Sequence, residues 1–249
     1  MPSVYLEDLT WDEAEAAFRQ IATVLLPVGA ILKEHGPHLP LKTDYLLARD
    51  LARRVAQQAE VIVCPPLTFG YYPAFVHFPG STSLSADTFR EIIVQIVESL
   101  ARNGAQRFVV LNTGVSTTGP LTVAANNLAS RGIVIALANI LDLGRAADAV
   151  LESRIGSHAN EHETSMVLAI DASVVRADKL AAEIQPWMTE MRQPVRQAGP
   201  LLRQPGRAGV FCPSGVIGDP TRATAEKGEA ILSAMAADVA RFCGEWRAV

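Results

Sequence analysis

Short, unbroken apolar runs alternate along this chain with longer segments of helical spacing, and that alternation restricts the fold more than any other feature. ATVLLPVG (22–29), VIVCPP (61–66), RFVVLN (107–112) and IVIALAN (133–139) are too short to be helices. They are continuously apolar rather than alternating, as strands buried on both faces are. Asp44 to about Ala59 reads as a helix between two of them. Ala86 to Asn103 reads as another, ending at Gly104, a good helix stop. GVFCPSG (209–215) is a further candidate strand. Thr221–Ala248 is a long alanine-rich amphipathic helix with Pro220 just before its first turn. The pattern predicts an α/β fold with a mainly parallel sheet covered on both faces. At 249 residues, 49% of them hydrophobic and 19% charged, the chain can bury a large core. No repeat or low-complexity tract divides it, so residues 1–249 read as a single domain. The Pro-, Gln- and Arg-rich segment Gln185–Arg207, with Trp187, reads as an excursion towards a subunit interface or a neighbour's pocket.

Charge and hydropathy exclude several classes of function. The net charge is −4 and no basic run exceeds two residues, so nucleic acid is not the expected partner. No stretch reaches the ~18 apolar residues of a membrane span. The acidic, amphipathic start MPSVYLEDLTWDEAEAAF is unlike a secretory signal. Cys64, Cys212 and Cys243 lie far apart with no CxxC pair, which points to a reducing compartment, the cytoplasm, and to packing rather than nucleophilic roles.

Chemistry concentrates in two segments. Of five histidines, His35 and His38 lie in KEHGPHLPLKTD (33–44), with Glu34 and Asp44; His158 and His162 lie in SHANEHETS (157–165), with Glu161 and Glu163; His77 lies in the loop between. Imidazole plus carboxylate is the ligand set of a catalytic zinc or a related divalent ion. Helix caps and core histidines would explain either segment alone; two in one short chain point to a site. Gly36, Pro37 and Pro40 keep the first loop irregular, so His35 and Asp44 can converge. These loops would meet at the carboxyl ends of the strands, where open parallel sheets collect ligands.

Four ordered motifs make a resemblance specific. VLLPVGAILKEHGPHLPLKTDYLLA (24–48), PPLTFGYYPAFVHFPGSTSL (65–84), SHANEHETS (157–165) and SGVIGDPTRATAEKGEAIL (214–232) are similar to the motifs of creatininase-type amidohydrolases. The resemblance implies a three-layer α/β/α sandwich, assembly into homohexamers, and metal-dependent opening of C–N bonds in cyclic or small amides. Position by position, it makes His35 and Asp44 metal ligands, with Asp44 at the family's metal-bridging aspartate. The glutamate that usually opens the first motif falls on Lys33, beside the variable Glu34. After the third strand the family's Asn-Gly-His histidine falls on Gly114 of NTGVSTTGP (112–120), and a second-metal glutamate falls on Ser116.

Both ligands private to one metal are therefore replaced together. The reading that follows keeps one ion, zinc or alternatively manganese, held by His35, Asp44 and Glu163, with the Lys33 ammonium in place of the other. Two unit charges about 4 Å apart attract by roughly 4 kcal/mol at an effective dielectric of ~20, before desolvation. His158 matches the proton-donating histidine, Glu34 or Glu163 is the base, and Lys33 stabilises an oxyanion or anchors a carboxylate. Ser116 and Thr117 offer hydroxyls at a strand-to-helix turn, and His162 is a substitute ligand or a substrate contact. His162 and Glu163 point about 100° apart in a helix, so they cannot both face the ion. The expected substrate is a small cyclic amide or a related C–N or lactone ring, with creatinine itself made less apt by the changed ligands. Two alternatives stay open: a non-catalytic small-molecule-binding protein on this fold, and a metal-independent enzyme using Lys33 as a Schiff base or general base.

Overall fold

The structure, a computed structural model, describes residues 3–153, 156–184, 199–205 and 208–246. A five-stranded sheet forms its centre, with spatial order β1 (Val4–Tyr5), β3 (Ile62–Val63), β2 (Thr23–Val28), β4 (Arg107–Asn112) and β5 (Ile135–Asn139). Every pairing in it is parallel. The run expected as a strand over 61–66 pairs only at Ile62–Val63, since Pro65 and Pro66 have no N–H to donate to a ladder.

Side chains from the strands alternate between two cores, as the period of two requires. Val24, Leu26, Val28, Phe108 and Val110 pack with Phe18 of α1 (Trp11–Gln20), Phe89 and Ile93 of α3 (Ala86–Arg102), and Leu121 and Leu128 of α4 (Thr118–Ala129). Leu25, Val109 and Leu111 pack on the other face with Leu47 and Leu51 of α2 (Thr43–Ala56), Met166 of α5 (Glu161–Asp171), and Leu232 and Met235 of α6 (Ala225–Glu245). Helices on both faces of a parallel sheet make the expected three-layer sandwich.

Two sequence readings need adjustment, and a third falls largely outside the described residues. Residues 209–215 contribute only β8 (Val210–Phe211), paired with β7 (Leu201–Leu202) in a separate ribbon, because Pro213 ends the strand. The last helix begins at Ala225, not Thr221; Pro220–Arg222 is a 3-10 turn fixed by Asp219, and Thr224 caps the helix by accepting the Lys227 N–H. Of the excursion at 185–207, residues 185–198 (with Trp187) and 206–207 lie outside the described residues.

The close approach of α5 and α6 makes one residue test the packing. A Cβ at Gly228 would stand 1.9 Å from the Ser165 carbonyl oxygen, which is backbone and cannot swing aside. Gly228→Ala is expected to destabilise the fold by about 1–3 kcal/mol by overpacking. The expected result is a lower urea midpoint with an unchanged slope; an unchanged midpoint would show that the two helices are not held in register there.

Candidate active site

The carboxyl ends of β2 and β4 meet the first turn of α2. Thr113, just after β4, joins them: its Oγ1 lies 2.9 Å from the Asp44 carbonyl and 3.0 Å from that of Val28. Asp44 is thereby fixed in a fully buried position on α2. Lys33 Nζ lies 2.6 Å from its Oδ2, and His35 Nε2 lies 2.9 Å from its Oδ1. The Lys33 contact is an ion pair whose angles fall short of a directed hydrogen bond, so Oδ2 has no formal hydrogen-bond donor. Burial acts to raise the Asp44 pKa, but the Lys33 charge and then the neighbouring His35 outweigh it and hold the carboxyl well below the usual range.

His35 has a defined polarity. Its Nδ1 is 3.0 Å from the Lys33 carbonyl, an acceptor, so Nδ1 carries the hydrogen. Nε2 then faces a carboxylate oxygen with its lone pair unless a proton or a cation lies beside it. A ligand imidazole has this arrangement, its second nitrogen steadied by a backbone carbonyl.

The other half of the site comes from the turn between β6 (Gly156–His158) and α5. Ala159 has φ +50, the one positive φ outside glycine among the described residues, and lets the chain reverse between the His158 side chain and the helix. Asn160 caps α5 by accepting the Glu163 N–H at 3.2 Å, while the Glu163 carboxylate accepts the Ala159 N–H. His158 Nε2 donates to the Glu34 carbonyl at 2.9 Å and lies 3.2 Å from Glu34 Oε2; its Nδ1 is 3.7 Å from Glu163 Oε2. Burial alone would lower the His158 pKa. The charge and hydrogen bond of Glu34, with the charge of Glu163, reverse this and raise it above 6.5. Glu34 is lowered despite burial, chiefly by His158, and its carboxylate also accepts the Gly36 N–H. Donor atoms of His35, His158 and Glu163 all fall within 4.8 Å of one another.

Two aromatic side chains, Tyr72 and Phe75, complete the site. Lys33 Nζ sits 5.5 Å from the ring centre of Tyr72 and 4.9 Å from that of Phe75, distances at which a ring face attracts a cation. The Phe75 ring also lies 4.4 Å from the His158 ring. Tyr72 occupies the space beside Gly114, where an added Cβ would meet its Cε1 at 2.9 Å. The density of aromatics in YYPAFVHF (71–78), in the loop after β3, is the sequence signal for them.

The remaining candidates fall outside this cluster. Thr117 Oγ1 is shared between Asn112 Oδ1 at 2.6 Å and the Gly114 carbonyl at 2.5 Å, so its hydroxyl holds the turn together. Ser116 is half-buried on the same turn. The electrostatic neighbours of His162 are Glu163, Asp148, Glu161 and Arg145, and burial lowers its pKa. His38 is pushed down to about 4 by burial and then by His35; it joins the first loop to α5 through Thr164 Oγ1 at 2.9 Å. Glu161 is buried in a contact with Lys227 of α6 and accepts the N–H groups of Glu152 and Ser153.

A family model described as creatinine amidohydrolase (creatininase) matches residues 7–243. The chain belongs to the creatininase family. A mycofactocin precursor peptide peptidase of Mycobacterium ulcerans is 31% identical over 233 residues, 90% of this chain and 85% of that protein. The creatinine amidohydrolase of Pseudomonas putida is 30% identical over 254 residues, 92% of each chain. Two solved creatininases, one described as "Creatininase Mn" and one as a mutant of "Zn-Zn type", each align with a TM-score of 0.81 and 28% identity, over 99% and 100% of this chain and all of theirs. Within this creatininase fold, Lys33 pairs with Asp44, and Tyr72 lies between Lys33 and Gly114.

Proposed function

We propose that this chain is a metal-dependent hydrolase of a C–N bond in a small cyclic amide or short peptide, with one divalent ion per site. The donor cluster of His35, His158 and Glu163 beside Asp44 carries this reading. Its donors fit one ion: His35 Nε2 and Glu163 would hold it, with Asp44 Oδ1 as third ligand. Imidazole and carboxylate suit zinc, and manganese is the alternative. Bound there, the ion supplies Lewis-acid chemistry, polarising a carbonyl and acidifying a water.

The chain's own groups move the protons. Glu34 Oε2 is 3.2 Å from His158 Nε2, so Glu34 takes the proton of the attacking water and His158 delivers one to the leaving nitrogen. Glu163 is less suited as base, since its carboxylate would be engaged as a ligand of the ion. Lys33, enclosed against Asp44 under two rings, acts through that carboxylate rather than on substrate. The same enclosure counts against Lys33 as a Schiff-base lysine. Ser116, half-buried on the turn after β4, is a substrate contact in this reading. The family spans names for a cyclic amide and a peptide, which supports the breadth of the substrate class.

Elemental analysis of protein purified without chelator, paired with hydrolysis of creatinine and of a set of short peptides, tests the proposal. His35→Ala and Glu163→Gln should lose the ion. His158→Ala should keep it while turnover falls about 10²–10⁴-fold. An ion-free unmodified protein would favour a binding protein on this fold, and loss of the ion in His158→Ala would make His158 a ligand.

Assembly and location are part of the proposal. Trp11, 83% exposed, and Leu141, 51% exposed, support burial of apolar surface between copies, as a homohexamer would provide. Sedimentation at micromolar concentration should give a species larger than the 26.7 kDa chain; a monomer would overturn this. The three cysteines are free and buried, which supports the cytoplasm, and no described helix is long and apolar enough to cross a membrane.

A further inference from the structure

A second binding feature lies outside the donor cluster. Between the turn at 73–78 and the β7–β8 ribbon is a cavity of about 490 Å³, lined by His77, Leu202, Arg203, Gln204, Pro205 and Pro213. Each of its two walls lies two residues along the chain from a residue in contact with the site. Phe75, two residues before His77, stacks on His158 and covers Lys33. Two residues after Pro213, Gly215 lies against the Glu34 carboxylate, where even a Cβ would not fit. Phe75 also belongs to an apolar cluster with Leu201 and Cys212, which fixes the ribbon to the turn.

The lining has one electrostatic sign. Among the described residues it offers a guanidinium from Arg203, a ring N–H from His77 and the Gln204 amide, and no acidic side chain. A guanidinium fork matches a planar carboxylate in two parallel hydrogen bonds. In the donor cluster, by contrast, Lys33 and His158 already face the carboxylates of Asp44, Glu34 and Glu163. An anionic end of a substrate is thus drawn to the cavity while the bond to be cut lies towards His158.

We infer that this cavity is a recognition pocket for a carboxylate of the substrate, with Arg203 as its main donor and His77 beside it. The inference deepens the hydrolase reading and takes from it only that the ligand is a substrate. It favours acyclic amides bearing a free carboxylate over neutral rings such as creatinine.

The test uses the full chain and ligand-observed saturation-transfer NMR with two probes, N-acetylglycine and its neutral amide N-acetylglycinamide. The acid is expected to bind about tenfold more tightly than the amide, the value of one charge-assisted interaction. Arg203→Ala should erase the difference, and Arg203→Lys should keep part of it. Arg203 is exposed, so these variants should melt as the parent does. Each titration is repeated after treatment with chelator. A preference that survives the chelator and disappears in Arg203→Ala supports the pocket, whether or not the protein proves to hold an ion. Equal binding of the two probes, no saturable binding of either, or a preference indifferent to Arg203→Ala would overturn it. A preference abolished by the chelator alone would place the carboxylate on the metal and overturn it equally.

Discussion

Lys33→Met is expected to destabilise the ion-free protein by about 3–5 kcal/mol at pH 7, because it strands the fully buried Asp44 carboxylate without its cation. Methionine nearly matches the lysine in volume and can pack under Tyr72 and Phe75, so the cost isolates the lost charge rather than a cavity. A second substitution tests that attribution. Lys33→Met with Asp44→Asn removes both charges, and most of the loss should be recovered, since a neutral pair in an apolar shell is often no worse than an ion pair. The pH dependence has a definite sign. Asp44 is held below its unfolded value, so the pair's contribution is present above the unfolded pKa of roughly 4 and fades as pH falls through the folded one. The gap between parent and Lys33→Met should therefore be full at neutral pH and shrink towards pH 3. Urea titrations across that range would measure it. A pH-independent gap, or a double variant no better than the single, would mean that the lysine stem, not its charge, stabilises the loop.

The layers of this fold were legible because the central strands β2 and β4 are buried on both faces and almost wholly apolar. Runs such as 107–112 could be nothing else, and the observed β4 has the same bounds. Segments whose shape depends on partners were less legible. The 209–215 run looks like a sheet strand, yet it forms two residues of a separate ribbon, because its neighbours are Leu201–Leu202 rather than the central sheet. Nothing local in the sequence states that pairing. The same holds within the site. His35, Asp44, His158 and Glu163 could be singled out by residue type and motif, since histidine-carboxylate clusters are chemically distinctive. Tyr72 and Phe75 could not, because an aromatic residue in a loop reads as packing until its ring is seen against Lys33 and His158. The hydroxyl of Thr117 shows the opposite failure: it looks available in the sequence and proves to be occupied by Asn112 and Gly114.

The unmodified chain should bind at most one tightly held divalent ion, however much metal is supplied. A second ion beside Asp44 would have to displace an ammonium that is covalently tethered 2.6 Å from Oδ2 and covered by two rings, and a protonated lysine cannot itself ligate. Lys33→Glu alone should not create a strong second site, because Gly114 still contributes no donor. Adding Gly114→His should fail as well, and the reason is steric: a Cβ at 114 meets the Tyr72 ring at 2.9 Å, and a full imidazole has nowhere to go while that ring remains. The combination expected to succeed is Lys33→Glu, Gly114→His and Tyr72→Ala, which replaces the cation by a carboxylate, supplies the imidazole and clears its space. Calorimetric zinc titration should then move from one site per chain to two in the triple variant only. Two tight ions in the unmodified chain, both lost in Asp44→Asn, would show that Lys33 yields to metal and is no substitute for it. Two ions in the double variant would show that Tyr72 moves aside freely, and the aromatic cover would then have no part in setting the metal count.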